Sequence, residues 1–142
     1  MMIRRMTESD YDGVVNVWKK AGLGYKPDGR DSREAVAKQL VGSGATMLVA
    51  EEEGAIIGVV FGTHDFRKGL INRLAVLPDN QGKGIAKSLV ANVEEQFIKA
   101  GIKIFAATIF ADNSASIQTA EKMGYEFHDN IKYCSKKIDP EY

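Results

Sequence analysis

The chain is poor in the residues that would commit it to a metal, a membrane or a nucleic acid. One of its 142 residues is cysteine, Cys134, so no internal disulfide can form. The only two histidines, His64 and His128, lie far apart in sequence and suggest no ligand cluster. No metal is expected. No apolar run nears the roughly 20 residues that span a bilayer, and Met1-Met2-Ile3-Arg4-Arg5 enters a strand-like segment with no signal-peptide apolar region behind its charges. The expectation is therefore no membrane partner and, with a lone reduced thiol, a cytoplasmic location. Nineteen basic side chains balance nineteen acidic ones, which removes the broad positive footprint of a nucleic-acid binder. No nucleic-acid partner is expected.

What is present describes an ordinary globular chain. With 44% hydrophobic and 27% charged residues, residues 1–142 read as a single domain large enough to bury a core without staples. Strand and helix signals alternate along it. Met2 to Met6 reads as an edge-like strand, and Thr7 to Asp10 offers caps for a helix to about Ala21 with Val14, Val15, Val17 and Trp18 inward. Gly22 to Asp31 is a loop, after which Asp31 or Ser32 can cap a helix through Leu40, with Ala35, Val36 and Leu40 inward. Thr46 to Ala50 and Ile56 to Thr63 form a hairpin around Glu51-Glu52-Glu53-Gly54, followed by a strand from Leu70 to Val76. Ile85, Leu89, Val90, Val93 and Phe97 mark a long helix that stops at Gly101. Ile104 to Phe110 reads as a strand buried on both faces. A short helix capped near Asn113 and ended by Gly124 precedes a closing hairpin of Tyr125 to His128 and Ile131 to Ile138.

Chemistry concentrates between that third strand and the long helix. Gly82 and Gly84 let the backbone approach a ligand closely, and the first N–H groups of the next helix have no intrahelical partners. Such a helix start suits a pyrophosphate. A Walker A loop ending at Lys87-Ser88 would need glycines where Gln81 and Ala86 stand, and a Rossmann fingerprint finds Lys87 at its third glycine. Neither fits.

Gln81-x-x-Gly84-x-Ala86 resembles the pyrophosphate-binding signature of the GNAT superfamily of acetyl-CoA-dependent N-acetyltransferases, (Arg/Gln)-x-x-Gly-x-(Gly/Ala). A second stretch, Asn113-Ser114-Ala115-Ser116-Ile117 and then Glu121-Lys122-Met123-Gly124-Tyr125, is similar to another pattern of that superfamily, and the element order matches over about residues 2 to 138. The resemblance implies an α/β (α+β) GNAT fold: a mixed, twisted sheet of six to seven strands with about four helices, splayed at the cofactor cleft. It also implies transfer of acetyl from acetyl-CoA to a primary amine on a small molecule or protein, by direct attack in a ternary complex. The alternative function is a CoA-binding sensor or interaction module without turnover, and a homodimer stays open.

The resemblance also assigns roles. Leu74, Ala75 and Val76 would pair with the pantetheine arm, and Gln81, Gly82, Lys83, Gly84, Ile85 and Ala86 would wrap the pyrophosphate, Lys83 and Lys87 adding charge. Asn113 and Ser116 would contact the cofactor, although an asparagine there is also an ordinary helix cap. The tyrosine that many relatives use to protonate the leaving thiolate falls at Ala120, so another donor, a water or unassisted thiolate departure must serve. Tyr133 and Tyr125 are candidate donors, and Cys134 as a covalent nucleophile fits poorly with direct transfer. His64 and Asp65 at a strand end are candidate bases, beside a water chain. Asn72 and Arg73 cannot act as bases but could orient the acceptor, Arg73 through a bidentate contact.

Overall fold

A computed structural model describes residues 1–142 throughout. Five strands make one sheet in sequence order: β1 (Met2–Arg5), β2 (Ala45–Glu52), β3 (Ala55–His64), β4 (Gly69–Val76) and β5 (Phe105–Ala106). The first four pair antiparallel and β5 joins β4 in parallel. Glu53 and Gly54, both at positive φ, form the tight turn of the β2–β3 hairpin.

Three helices cover the sheet, α1 (Tyr11–Lys20) and α2 (Arg33–Leu40) on one face and α3 (Ile85–Lys99) on the other, and a fourth, α4 (Ser114–Lys122), is followed by Met123 and Tyr125, which pack on the α3 side. Alternation along the strands divides the core accordingly. Met47, Val49, Val59, Phe61 and Ala75 pack with Val14, Val17, Trp18 and Val36, while Leu48, Val60, Ile71 and Val76 pack with Ile85, Leu89, Val93 and Phe97. The apolar stripe expected for α3 is buried at all five positions. Ser32, rather than Asp31, caps α2 by accepting the Ala35 N–H.

Two expectations are corrected. Ile104 to Phe110 does not form a strand buried on both faces: only Phe105 and Ala106 pair, and Ile104 and Phe110 are exposed. The closing hairpin is absent as well, since Tyr125–His128 and Ile131–Ile138 carry no strand pairing and every residue from Glu126 onward is exposed. This leaves five strands instead of six to seven. β5 meets β4 only through Gly69 and Leu70, and so short an edge offers too few main-chain partners to template further strands.

Candidate functional site

The site begins with a break in the β4 ladder. Val59 faces Ala75 and Phe61 faces Asn72, so two residues, Arg73 and Leu74, stand opposite the single Val60. This is a β-bulge. Arg73 takes a φ of 53°, a left-handed conformation uncommon for a residue with a side chain. The pairing of β5 has already ended at Leu70, and from Ile71 to Val76 the edge of β4 opposite β3 has no strand beside it. The Leu77 N–H turns inward to the Ile57 carbonyl of β3. By the alternation of a strand, Val76 and Leu74 therefore direct their N–H and C=O groups to the open edge. The Val76 carbonyl there accepts the Gln81 side-chain amide at 3.0 Å, which ties the following turn to the strand end.

That turn supplies the donors. The Gln81 N–H is engaged by Pro78 and the Ser88 N–H by Gly84, but the six N–H groups from Gly82 to Lys87 donate to no protein acceptor. Gly82 and Gly84 hold φ at 79° and 80°, and a Cβ at either position would meet nothing within 4 Å. Glycine is required here by backbone conformation, not by crowding. Gly84 is the residue preceding α3, so the free donors coincide with the positive end of that helix's dipole. Lys83 and Lys87 are exposed on the same turn. The result is a solvent-facing anion cradle beside an unpaired strand edge.

Other expected site residues are placed differently. Asn113 is the cap of α4, its side chain accepting the Ser116 N–H at 3.2 Å. Ala120 lies on α4, half-buried. The Tyr125 hydroxyl donates to Glu94 at 2.6 Å, and burial, reinforced by that carboxylate, raises its pKa well above the usual tyrosine value. It is a tie between α3 and the end of α4, poorly suited to giving up a proton. Tyr133 and Cys134 stand exposed in the unpaired C-terminal segment.

His64 and Asp65 are at the wrong end of the strand pair. His64 pairs with Gly69, whereas the cradle follows Val76, seven residues and about 23 Å along β4. His64 Nδ1 accepts the Phe66 N–H at 3.0 Å, and its ring packs edge-on against Phe66 and Phe97. Asp65 accepts the Arg67 and Lys68 N–H groups at 3.0 and 2.8 Å, contacts that lower its pKa. Both residues shape the β3–β4 turn.

Asn72 and Arg73 both belong to the α1 side of the sheet, Asn72 exposed and Arg73 turned inward. The Arg73 guanidinium lies 4.3 Å from the Trp18 ring centroid, donates to the Gly24 carbonyl at 2.8 Å, and has Nε 3.8 Å from Asp31 Oδ1. Burial lowers its pKa. Asp31 in turn accepts the Lys26 N–H at 2.8 Å through its other oxygen. Sequence gave no sign of this cluster, because its members are 49 and 42 positions from Arg73 and Asp31 read as a helix cap.

Residues 11–125 match the Acetyltransferase (GNAT) family. The chain belongs to that family. It is 34% identical over 143 residues to an acetyltransferase of Yersinia enterocolitica and 31% identical over 144 residues to one of Sodalis glossinidius, each alignment covering 100% of both chains. Among solved structures, aminoglycoside acetyltransferase AAC(6')-Iy, in complex with the bisubstrate analog CoA-S-monomethyl-acetylneamine, superposes with a TM-score of 0.81 at 19% identity, covering 96% of this chain and 97% of that one. The PaiA N-acetyltransferase of Thermoplasma acidophilum, in complex with coenzyme A, gives a TM-score of 0.81 at 20% identity over 92% of each chain. The acetyltransferase thus shares the GNAT fold, and the bulge, open edge and glycine turn belong to an acyltransferase. No helix is long and apolar enough to cross a membrane.

Proposed function

We propose that this acetyltransferase, as one unit spanning residues 1–142, moves acetyl from acetyl-CoA to a primary amine by direct attack in a ternary complex. The observation that carries the reading is the run of six unpartnered N–H groups from Gly82 to Lys87 beside the open edge of β4. A pyrophosphate accepts from those donors, Lys83 and Lys87 adding charge. The pantetheine amides continue the β4 ladder at Val76 and Leu74, as an added strand would. The thioester then reaches the bulge, where a main-chain N–H polarises its carbonyl. Two relatives by fold, solved in complex with CoA or a CoA analog, support acetyl-CoA as the donor.

The acceptor lies between the Gly22 to Ser32 loop, Asn72 and the C-terminal segment. Its ammonium loses a proton to water, since neither His64 nor Asp65 is near the bulge, and its lone pair attacks the thioester carbon. The new N–C bond forms as the C–S bond breaks, the acylated nitrogen gives up its second proton to solvent to become the amide, and CoA departs as a thiolate that solvent protonates. No side-chain acid stands at Ala120. That same alanine is what favours the second reading, a CoA-binding sensor. Calorimetry with acetyl-CoA and a thiol-release assay over a panel of primary amines decide the matter. Binding with amine-dependent release supports transfer, binding without release supports the sensor, and no binding removes both.

A further inference from the structure

Arg73 is the most anomalous residue in the chain. It is a half-buried cation at positive φ, and two of its donors, Nε and Nη2, are sealed from solvent without a hydrogen-bond acceptor, as is Nε1 of the Trp18 beneath it. An arginine placed for stability alone would pair those donors, because an orphaned buried donor costs its full desolvation. The side chain is instead held by stacking on Trp18, by Gly24 at 2.8 Å, and by Asp31 at a distance about 1 Å longer than a charge-assisted hydrogen bond. Gly24 and Asp31 lie toward the two ends of the loop between α1 and α2, which Asp31 also closes internally through Lys26. One side chain therefore ties the two ends of this loop to the residue whose own backbone forms the bulge.

We infer that Arg73 is a positioning residue that fixes the Gly22–Ser32 loop over the β4 bulge and so sets the acceptor's position relative to the thioester, without itself touching the acceptor. This rests on the acceptor lying at that loop, as proposed above. Moving the loop's ends and moving the bulge are then one event, and a change at Arg73 separates acceptor affinity from cofactor affinity. A lysine keeps the charge but loses the planar stack and the fork that reaches Gly24 and Asp31 together. It removes the tie while leaving the anion cradle untouched.

The test uses the full chain and its Arg73→Lys variant, with Asp31→Asn as a second, isosteric cut of the same tie should the lysine variant fail to fold. Backbone hydrogen exchange of Gly22–Ser32 is expected to quicken about tenfold or more. Acetyl-CoA affinity by calorimetry should stay within about twofold, while the KM for an accepted amine rises about tenfold with kcat changed less than about threefold. Unchanged loop exchange in the variants overturns the inference, as does a fall in acetyl-CoA affinity that equals the loss in amine KM. If the wild-type chain releases no CoA with any amine, the proposed function fails, and the exchange measurement still decides the role of Arg73.

Discussion

Replacing Gly84 by alanine separates the conformational demand of the glycine turn from its demand for ligand space. Gly84 sits at φ 80° and ψ 12° with nothing within 4 Å of a would-be Cβ, so the methyl clashes with no neighbour. The cost is the left-handed backbone alone, about 1–2 kcal/mol. For a chain of this length that lowers Tm by roughly 2–4 °C per kcal/mol. Relieving the strain rotates the Gly84 and Ile85 N–H groups out of the cradle. Losing one hydrogen bond to a charged phosphate oxygen costs about 1.5–3 kcal/mol, so acetyl-CoA should bind roughly 10- to 100-fold more weakly. Gly101 provides the control, because it also sits at positive φ, 85°, with open space around it, but lies beyond the far end of α3. The two are about 25 Å apart by helical rise. Gly101→Ala should lose comparable stability and no affinity. Calorimetry that finds the two alanine variants equally tight would refute the role given to the turn.

Three further outcomes are expected. Asp10 accepts two hydrogen bonds from Arg4 and one from the Thr7 N–H, which hold its pKa at about 2 against 3.8. A carboxylate so depressed stabilises the fold above pH ~4 by on the order of 2 kcal/mol and loses that contribution as pH falls through about 2; Asp10→Asn should therefore be less stable at neutral pH and nearly equal to wild type near pH 2 in denaturant titrations. Ala120→Tyr should raise turnover less than about tenfold, or about 1.4 kcal/mol of barrier, if thiolate departure already suffices, and a gain of hundreds-fold in the thiol-release assay would favour the sensor reading for the natural chain. His64→Ala should leave the pH dependence of kcat/KM unchanged in shape and height, because the ring packs on Phe66 and Phe97 far from the bulge; disappearance of a limb in the profile would restore His64 as the base.

Features with local causes were legible in the sequence. The α3 stripe, the glycine turn and the β2–β3 hairpin follow from spacing and from residues whose conformational range is written in their type. Features created by distant partners were not. Nothing in an arginine announces a positive φ, and the bulge exists because Val60 on β3 stands opposite two residues of β4. Nor could the apolar content of Ile104–Phe110 and Ile131–Ile138 reveal that the sheet edge is too short to recruit them. Asn113 illustrates the ambiguity most plainly, since its type suits both a cofactor contact and a cap, and the cap is what it makes. His64 looked favourable by its chemistry, but register decides position, and register places it at the opposite end of β4 from the cradle.

In the proposed function, the free N–H groups from Gly82 to Lys87 take up the pyrophosphate of acetyl-CoA. A ¹⁵N–¹H NMR titration of the full chain with acetyl-CoA reads those amides one by one. The largest shifts are expected on Gly82 to Lys87, with a second group at Leu74 and Val76, while the amides of His64, Asp65 and Gly69 stay nearly still. Saturable binding whose shifts spare the turn and collect elsewhere would contradict it.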